Sequence, residues 1–470
     1  MLGEGSNLSL CNLVKGGELR REIGPMQMGN AILLGVARPG FDTDLAMRMF
    51  RESAGLLEEL GATVLRPDAL LTDPDEAGRA AAGYRDRGAD ALIVQFSTFT
   101  DGRFLTNILN ELDLPILVWS VPEPEVGGRL RLNSLTGGNL AASILVRLGR
   151  RFKVIYRLPS DAHAQAEIGP WLAAARTAAR LRQAVIAEVG NPPPGFYTST
   201  VDALTLMRAT GIRLTRIDLQ TVLHQATQVP AARYQPLIEA DQKIVAGLPQ
   251  LASDQVVRST QFTVALRDAL GTPPPDAVAV RCWPEFFNEY KAAACSTLSH
   301  LIEDGIPAAC EADTLGAVTM LMQQLLTGQH TYLGDLVHVD DQRNTCTFWH
   351  CGVSAFSLAS PKTGPVAGVQ PNRNLGFALN HSLKAGPVTI ARLGQGPDGL
   401  RLGLLCGEAV DGPNTFTGTS VEVRMQRPVR ELLEAMLYEG FEHHYSLVWH
   451  DVRQELVELS RLLSIPCVTF

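Results

Sequence analysis

The 470-residue sequence lacks the features that identify several common protein classes. It has no run of about 18 apolar residues, which argues against a transmembrane helix. It also lacks a basic excess, since 41 Lys and Arg stand against 49 Asp and Glu and give a net charge of -8. Proteins that bind nucleic acids concentrate positive charge to neutralise phosphates. We therefore expect neither a membrane nor a nucleic acid as a partner.

The sequence also lacks the signs of a secreted protein. Its first residues show no basic segment followed by an apolar stretch and a small-residue cleavage site. Its cysteines form no CxxC pair, and in a large chain such scattered thiols are typically reduced and packed. We predict a cytoplasmic protein. The eight cysteines are Cys11, Cys282, Cys295, Cys310, Cys346, Cys351, Cys406 and Cys467.

What the sequence has is the composition of a large globular protein. Hydrophobic residues make up 46% and charged residues 19%, and the length predicts about three domains. Between residues 31 and 156, short apolar runs alternate with helix-length segments whose apolar residues recur every three or four positions. This alternation predicts a parallel sheet covered by helices on both faces. The predicted strands are 31–37, 63–65, 91–96, 116–119 and 153–156.

A second α/β unit and a β-rich third part follow. The second unit is predicted to contain strands 184–189, 214–218 and 277–281 and helices 201–210, 286–304 and 315–327. The third part is predicted to contain a hairpin over 386–410, a strand over 419–425 and a final helix over 447–463. The predicted fold class is therefore α/β, with two doubly wound parallel-sheet domains (1–160 and 161–345) and a β-rich, barrel-like C-terminal domain (346–470).

The polar residues with the clearest chemical meaning lie in the second half of the chain. Eight of the ten histidines occur from His300 onward, and Glu311 and Asp335 each follow a short apolar run. The carboxyl ends of parallel strands meet at one edge of a sheet, where ligands bind. Two carboxylates brought together there would repel each other unless a cation lay between them. Carboxylates with one or two imidazoles favour Mn²⁺ or Mg²⁺ over a structural zinc.

Motifs along nearly the whole chain, taken in order, resemble those of the L-fucose/L-arabinose isomerase superfamily. They are RCWP at 281–284, GIPAACEAD at 305–313, GAVTM at 316–320, LGD at 333–335, HCG at 350–352 and EHHYSL at 442–447, with GFY at 195–197 and PVTIAR at 387–392. The resemblance implies a three-domain aldose-ketose isomerase for a free pentose or deoxyhexose, such as L-fucose, D-arabinose or L-arabinose. It also implies a homotrimer or homohexamer in which a neighbour's N-terminal domain closes the sugar pocket.

The same resemblance implies a metal centre. Its ligands fall on Glu311, on Asp335 and on one member of the pair His443 and His444, of which we favour His444. The expected metal is Mn²⁺, with Mg²⁺ or Co²⁺ as alternatives. His350 is the nearest candidate for an additional ligand or for a contact to the sugar.

The chemistry of isomerisation suggests a role for each of these residues. Moving a carbonyl from C1 to C2 removes one carbon-bound proton and delivers another, and a cation stabilises the enediolate between the two steps. Glu311 and Asp335 are the predicted acid-base pair, and which of them takes the C2 proton stays open. Trp283 is predicted to form an aromatic wall for the sugar, with a place in the core as the alternative.

Two other functions stay open on sequence grounds. A metal-dependent epimerase or lyase acting on a sugar or sugar acid would use the same enediolate chemistry. A non-catalytic sugar-binding protein could be built on the first α/β domain, although the intact acidic pair disfavours it.

Overall fold

The computed structural model describes residues 28–470, so the predictions for the N-terminal segment and for Cys11 lie outside the described residues. The first part of the described chain alternates strands and helices, as its apolar periodicity predicts. Its elements are β1 (Asn30–Val36), α1 (Thr43–Glu59), β2 (Thr63–Leu65), α2 (Pro74–Ala82), β3 (Ala91–Phe96), α3 (Gly102–Glu111), β4 (Ile116–Ser120), α4 (Ser134–Arg147), β5 (Phe152–Tyr156) and α5 (Ala162–Leu181).

The strands of this part form a parallel sheet in the order β2-β1-β3-β4-β5. The central strands β1, β3 and β4 are buried along almost their whole length, which explains their continuous apolar runs. Their side chains alternate between two cores, with Leu33 and Ile93 on one face and Ile32 and Leu92 on the other. The predicted sheet with helices on both faces is confirmed.

Aspartates begin most of the helices in this part. In each case the carboxylate accepts a hydrogen bond from a backbone N–H of the first helical turn, which would otherwise have no partner. The capping residues are Asp42 for α1, Asp73 for α2, Asp101 for α3 and Asp161 for α5. The caps fix where each helix leaves the carboxyl end of a strand.

The second part contains a smaller parallel sheet. Its elements are β6 (Val185–Val189), α6 (Ala203–Thr210), β7 (Arg213–Ile217), α7 (Leu219–Thr227), α8 (Ala231–Ile244), α9 (Ser253–Leu270), β8 (Ala277–Val280), α10 (Cys295–Glu303), β9 (Ala308–Ala309) and α11 (Thr314–Thr327). The strand order is β7-β6-β8-β9.

The third part is β-rich, and six of its strands close into a barrel. Its elements are β10 (Thr331–Asp340), β11 (Thr345–His350), β12 (Ala367–Gln370), β13 (Leu375–Leu379), β14 (His381–Ser382), β15 (Gly386–Gly396), β16 (Gly399–Val410), β17 (Thr419–Met425), α12 (Val429–Glu439), β18 (His444–Val448), α13 (Arg453–Leu462) and β19 (Cys467–Thr469). Antiparallel pairing runs β17-β11-β10-β18-β15-β16, and a further pairing of β16 with β17 closes the ring. The barrel-like character of this part is confirmed.

The barrel and the second sheet share one hydrophobic core. Helix α11 packs between them and is buried on nearly every side, as its almost entirely apolar sequence indicates. Strand β10 pairs within the barrel although it precedes residue 345, where the sequence places the start of the third domain. The division at that residue stays a prediction. The shared core holds the carboxyl edge of the second sheet against the barrel.

Two helix predictions are wrong. The single helix expected over 286–304 is a π-helical turn, Phe286–Tyr290, followed by α10, and the two are separated by Lys291 with a φ of 59°. The final helix begins only at Arg453, because the residues before it form β18, which hydrogen-bonds to strands on both sides. Pairing with distant strands outweighs local periodicity there. Of the helices within residues 28–470, none has both the length and the hydropathy to cross a bilayer.

Candidate active site

Glu311 lies at the carboxyl edge of the second parallel sheet, where the chain passes from β9 to α11. Glu311 and the next residue, Ala312, both adopt left-handed backbone conformations, with φ of 60° and 52°. Residues other than glycine seldom do so, and such strain concentrates at functional sites. The backbone N–H of Ala312 donates to the carbonyl of Val280 at 3.0 Å, which ties the turn to the end of β8. The turn directs the Glu311 carboxylate toward the barrel.

Asp335 and His444 face each other on neighbouring antiparallel strands of the barrel. The register of β10 and β18 pairs these two residues directly. His444 Nε2 lies 3.5 Å from Asp335 Oδ1 and 3.5 Å from Glu311 Oε2, so the two carboxylate oxygens are no more than 7.0 Å apart. The structure therefore brings together the three residues predicted as ligands. Asp335 nevertheless lies within a long barrel strand, and the expected strand end beside β9 is wrong.

His444 is buried, and its orientation is set by an acid to which the sequence analysis gave no role. His444 Nδ1 lies 2.9 Å from Asp313 Oδ2, so the ring donates its Nδ1 proton to Asp313 and presents Nε2 to the cluster. Arg392 donates to the same carboxylate at 2.5 and 3.1 Å. Burial raises the pKa of Asp313, but Arg392 and His444 lower it by more, and the pKa lies well below its usual range. Asp313 is therefore a fixed negative charge behind the histidine.

Asp313 also begins helix α11. Its Oδ1 accepts from the backbone N–H of Gly316 at 2.9 Å. A Cβ at Gly316 would lie 2.6 Å from Asp313 Oδ2 and 3.2 Å from Arg392 Nη1, so only glycine permits this approach. Glu442 accepts a further hydrogen bond from Arg392 Nε at 3.4 Å. Helix cap, ion pair and histidine orientation thus depend on one carboxylate.

His443, the neighbour of His444, is far more exposed, with 42% of its side chain accessible against 1% for His444. Its Nε2 lies 3.3 Å from Glu311 Oε2 and 4.0 Å from Asp335 Oδ1. Burial raises the pKa of Glu311, but the hydrogen bond from His443 and the charges of His444 and His350 lower it by more. The net pKa lies below the usual value, so Glu311 is a carboxylate at neutral pH.

The donor set fits a divalent cation. Two ligands at right angles, with bonds of about 2.1–2.4 Å, lie about 3.0–3.4 Å apart, and His444 Nε2 lies 3.5 Å from each carboxylate oxygen. Asp335 Oδ1 is buried and makes no hydrogen bond to any residue from 28 to 470, which leaves an acceptor for a cation. An imidazole whose other nitrogen is held by a carboxylate is the usual metal ligand. Within the described chain, His444 has such a partner and His443 has none.

The cluster opens into a pocket of about 340 Å³, a size suited to a small molecule. Trp283 lines the pocket, and its Nε1–H donates to Glu311 Oε1 at 3.3 Å. The indole also packs edge-on against Phe196, with ring centroids 5.2 Å apart. Trp283 therefore both lines the pocket and orients Glu311, a contact that the sequence analysis did not anticipate.

His350 lines the same pocket from the end of β11. Its Nδ1 lies 2.9 Å from the backbone nitrogen and 3.3 Å from the sulphur of Cys351, so Nε2 is the ring nitrogen left for other contacts. One ring nitrogen of His350 lies within 4.8 Å of the sulphurs of Cys310 and Cys351. A carboxylate oxygen of Glu311 lies within the same distance of one nitrogen each of His443 and His444. The cysteines within residues 28–470 are all free, as predicted.

No role was predicted for Asp313 or Arg392 from the sequence. A usable signal existed for Arg392, because it is a charged residue with apolar neighbours on both sides in its strand. In the structure its side chain is 1% exposed. Such residues are almost never buried unless they are paired. The pocket wall formed by residues 370–373 was also missed, since this short polar turn looks like any surface loop.

Comparison with family models and solved structures does not identify a family for this chain. No family model matches this sequence. A solute-binding protein of an ABC transporter from Agrobacterium vitis, bound with alpha-D-tagatopyranose, is 14% identical and aligns over 64% of this chain and 90% of its own, with a TM-score of 0.17. A likeness at that score carries no argument.

Sequence relatives, in contrast, span nearly the whole chain. A sulfoquinovose isomerase from Alkalicoccus urumqiensis is 41% identical over 94% of this chain and 99% of its own length. Sulfoquinovose isomerases from Priestia aryabhattai and Clostridium sp. (strain MSTE9) are 38% and 32% identical, over 94% and 93% of this chain and 99% and 98% of their own. This chain belongs to the family of the sulfoquinovose isomerases and is an aldose-ketose sugar isomerase.

Proposed function

We propose that this isomerase interconverts sulfoquinovose, a 6-deoxyhexose with a sulfonate on C6, and the corresponding ketose. The observation that carries the proposal is the approach of Glu311 and Asp335 to His444, whose Nε2 lies 3.5 Å from one oxygen of each acid. The substrate is taken from the relatives, which are named sulfoquinovose isomerases at 32–41% identity. Sulfoquinovose is a sulfonated member of the deoxyhexose class expected from the sequence.

Glu311 and Asp335 transfer the proton in this proposal. Isomerisation removes a proton from C2 of the open-chain aldose and returns one to C1, so one group accepts and one donates. Although burial raises the pKa of Glu311, the surrounding histidines hold it below its usual value, and the group can accept a proton at neutral pH. Trp283 fixes Oε1 of Glu311, which leaves Oε2 toward the barrel. Which acid takes the C2 proton stays open.

Glu311, Asp335 and His444 are also proposed to hold a divalent cation, Mn²⁺, with Mg²⁺ or Co²⁺ as alternatives. When bound, the cation supplies positive charge where negative charge develops on O1 and O2 of the sugar. The Asp313–Arg392 pair keeps His444 Nδ1 protonated and Nε2 free to bind.

Two further residues are proposed to contact the sugar. The ring of Trp283 offers an apolar face to sugar C–H groups. His350 offers its Nε2–H to a hydroxyl group, since its Nδ1 already contacts Cys351. Cytoplasmic location and a trimeric or hexameric assembly remain predictions.

The test is an aldose panel with a metal control. Protein freed of metal with EDTA receives Mn²⁺, Mg²⁺ or Co²⁺ in D₂O, and ketose formation is followed from sulfoquinovose, L-fucose, D-arabinose and L-arabinose. We expect the highest kcat/KM with sulfoquinovose, loss of activity after EDTA, recovery with Mn²⁺ and uptake of solvent deuterium. Absence of ketose from every aldose in the presence of Mn²⁺ contradicts the proposal. Full activity after EDTA removes its metal part alone.

The same assay separates the other functions. Deuterium at C2 of an epimerised aldose, without ketose, would support an epimerase. Binding of a sugar that EDTA leaves unchanged, with no turnover, would support a sugar-binding protein.

A further inference from the structure

The turn between β12 and β13 forms one wall of the pocket. It presents three polar side chains there, those of Gln370, Asn372 and Arg373. The turn is closed by its own backbone, since the N–H of Arg373 donates to the carbonyl of Gln370 at 3.2 Å. This wall belongs to a different segment of the chain from the acids and histidines of the cluster.

The hairpin is anchored to helix α9. The backbone N–H groups of Gly376 and Phe377 donate to the side chains of Gln255 and Ser259, at 2.6 and 3.0 Å. Phe377 is buried in the core cluster beneath the hairpin. The turn is thus held on a rigid element, which is what precise recognition of a ligand requires.

Arg373 carries a positive charge that the described residues leave unpaired. Its guanidinium carbon lies 5.8 Å from the ring centroid of Phe287, another residue of the pocket wall. Within residues 28–470 it forms no ion pair, whereas Arg281 on a neighbouring loop is held by Glu285 at 2.5 Å. The Arg373 guanidinium is therefore available to an anion.

Gln370 adds an amide donor beside this cation. The residue is 6% exposed, and its Oε1 accepts from the backbone N–H of Asn372 at 2.9 Å. That bond fixes the amide and leaves its N–H₂ group without a partner among the described residues. The Asn372 side-chain amide supplies further N–H groups at the same turn.

We infer that Arg373, Gln370 and Asn372 form the subsite for the sulfonate of the sugar, an inference that rests on the proposed function. A sulfonate is always ionised and has three acceptor oxygens, which a planar guanidinium and neutral amides satisfy together. The acids Glu311 and Asp335 would repel it, so the sulfonate and the reacting end of the sugar occupy different walls.

The experiment compares two sugars that differ only in the sulfonate, sulfoquinovose and quinovose. Arg373→Ala, Arg373→Lys and the control Arg427→Ala, an exposed arginine outside the pocket lining, are assayed with Mn²⁺. We expect Arg373→Ala to lower kcat/KM for sulfoquinovose about 30-fold, mainly through KM, because a hydrogen-bonded charge is lost. Arg373→Lys should recover part of this, since lysine keeps the charge without the fork. The quinovose value should change less than about twofold, and Arg427→Ala should match wild type for both sugars.

Several outcomes overturn the inference. Equal losses for both sugars would make Arg373 structural, and no loss would place the sulfonate elsewhere. Wild type that forms no ketose from sulfoquinovose overturns the proposed function instead. Calorimetric affinities for the two sugars then still test the subsite, and equal values would refute it.

Discussion

The two parallel sheets share one strand order and differ in the chemistry of their carboxyl edges. In both sheets the first strand lies between the second and the third, as β2-β1-β3-β4-β5 and β7-β6-β8-β9. Ligands of open sheets bind at this edge. At the first edge, Asp42 pairs with Arg131 at 2.6 Å, and Asp101 pairs with Arg103 at 2.9 Å. At the second edge, Glu311 lies among histidines.

The barrel makes the difference. It packs against the second edge and supplies Asp335, Arg392 and His444 from β10, β15 and β18. Arg392 pairs with Asp313, two residues after Glu311. The ion-pair partners of Glu311 among the described residues are therefore histidines and not an arginine. A sheet edge provides a place for a ligand, and a second element decides whether an acid there stays available. Strand order alone therefore does not reveal which edge is functional.

The largest expected effect comes from removing the negative charge of Glu311 at the second edge, with a matched substitution at the first edge as its control. Glu311→Gln keeps the side chain's size, and we expect kcat to fall by about 10³-fold or more, because a proton-transfer group and a proposed ligand are lost together. Asp42→Asn makes the same change at the first edge, where we expect kcat to stay within about twofold. Ketose formation at saturating sugar and Mn²⁺ measures both, with circular dichroism to confirm folding.

Either half of this prediction can fail. More than a tenth of the wild-type kcat in folded Glu311→Gln would remove Glu311 from the reaction. A comparable loss in Asp42→Asn would instead break the comparison. The first edge would then take part in a site, as an assembly closed by a neighbour's N-terminal domain would require.

Local patterns in the sequence predicted those elements whose type and ends are encoded by nearby residues. The strands 63–65, 91–96 and 419–425 have the observed bounds. Each is a short apolar or alternating run with breakers or helix signals beside it, so its ends are encoded nearby. The resemblance of the motifs likewise brought Glu311 and His444 forward as candidates, and the structure places them in one cluster.

Long-range pairing could not be predicted in this way. Asp335 meets His444 because β10 and β18 pair in one register across more than a hundred residues, and no local signal carries that register. Because of the same pairing, the first residues of the helix predicted over 447–463 form the end of β18. Arg392 finds Asp313 only because α11 packs on β15. The positioning of the candidate ligands was therefore beyond the sequence analysis, although their identities were not.

A smaller effect is expected from the two adjacent histidines, and it tests how the barrel completes the second edge. His444→Gln removes the imidazole held by Asp313, so we expect the Mn²⁺ affinity to fall by about 100-fold. His443→Gln removes an exposed contact to Glu311, and we expect a loss below about tenfold. Titration of metal-free protein with Mn²⁺, by calorimetry and by recovered activity, measures both. A larger loss in His443→Gln would transfer the ligand role to His443.

The smallest effect on activity is expected from the two capping aspartates, and here stability is the sharper readout. Asp313 and Asp101 each cap a helix after a parallel strand and each pair with an arginine, but their side chains are 1% and 29% exposed. Asparagine also caps helices, so Asp313→Asn chiefly leaves buried Arg392 without its main counter-charge. We expect it to destabilise the protein by about 3 kcal/mol, and to weaken Mn²⁺ binding about tenfold.

Asp101→Asn should cost less than about 1 kcal/mol, because its ion pair is solvated, and should leave Mn²⁺ binding unchanged. Urea midpoints of the two variants, measured side by side with wild type, decide between them. Both aspartates cap a helix, pair with an arginine and follow a strand of a sheet with the same strand order. Equal shifts of the two urea midpoints would therefore mean that burial against the barrel does not make Asp313 more important for stability than Asp101. If Asp313→Asn weakened Mn²⁺ binding without lowering stability, the role of Asp313 would be limited to orienting His444.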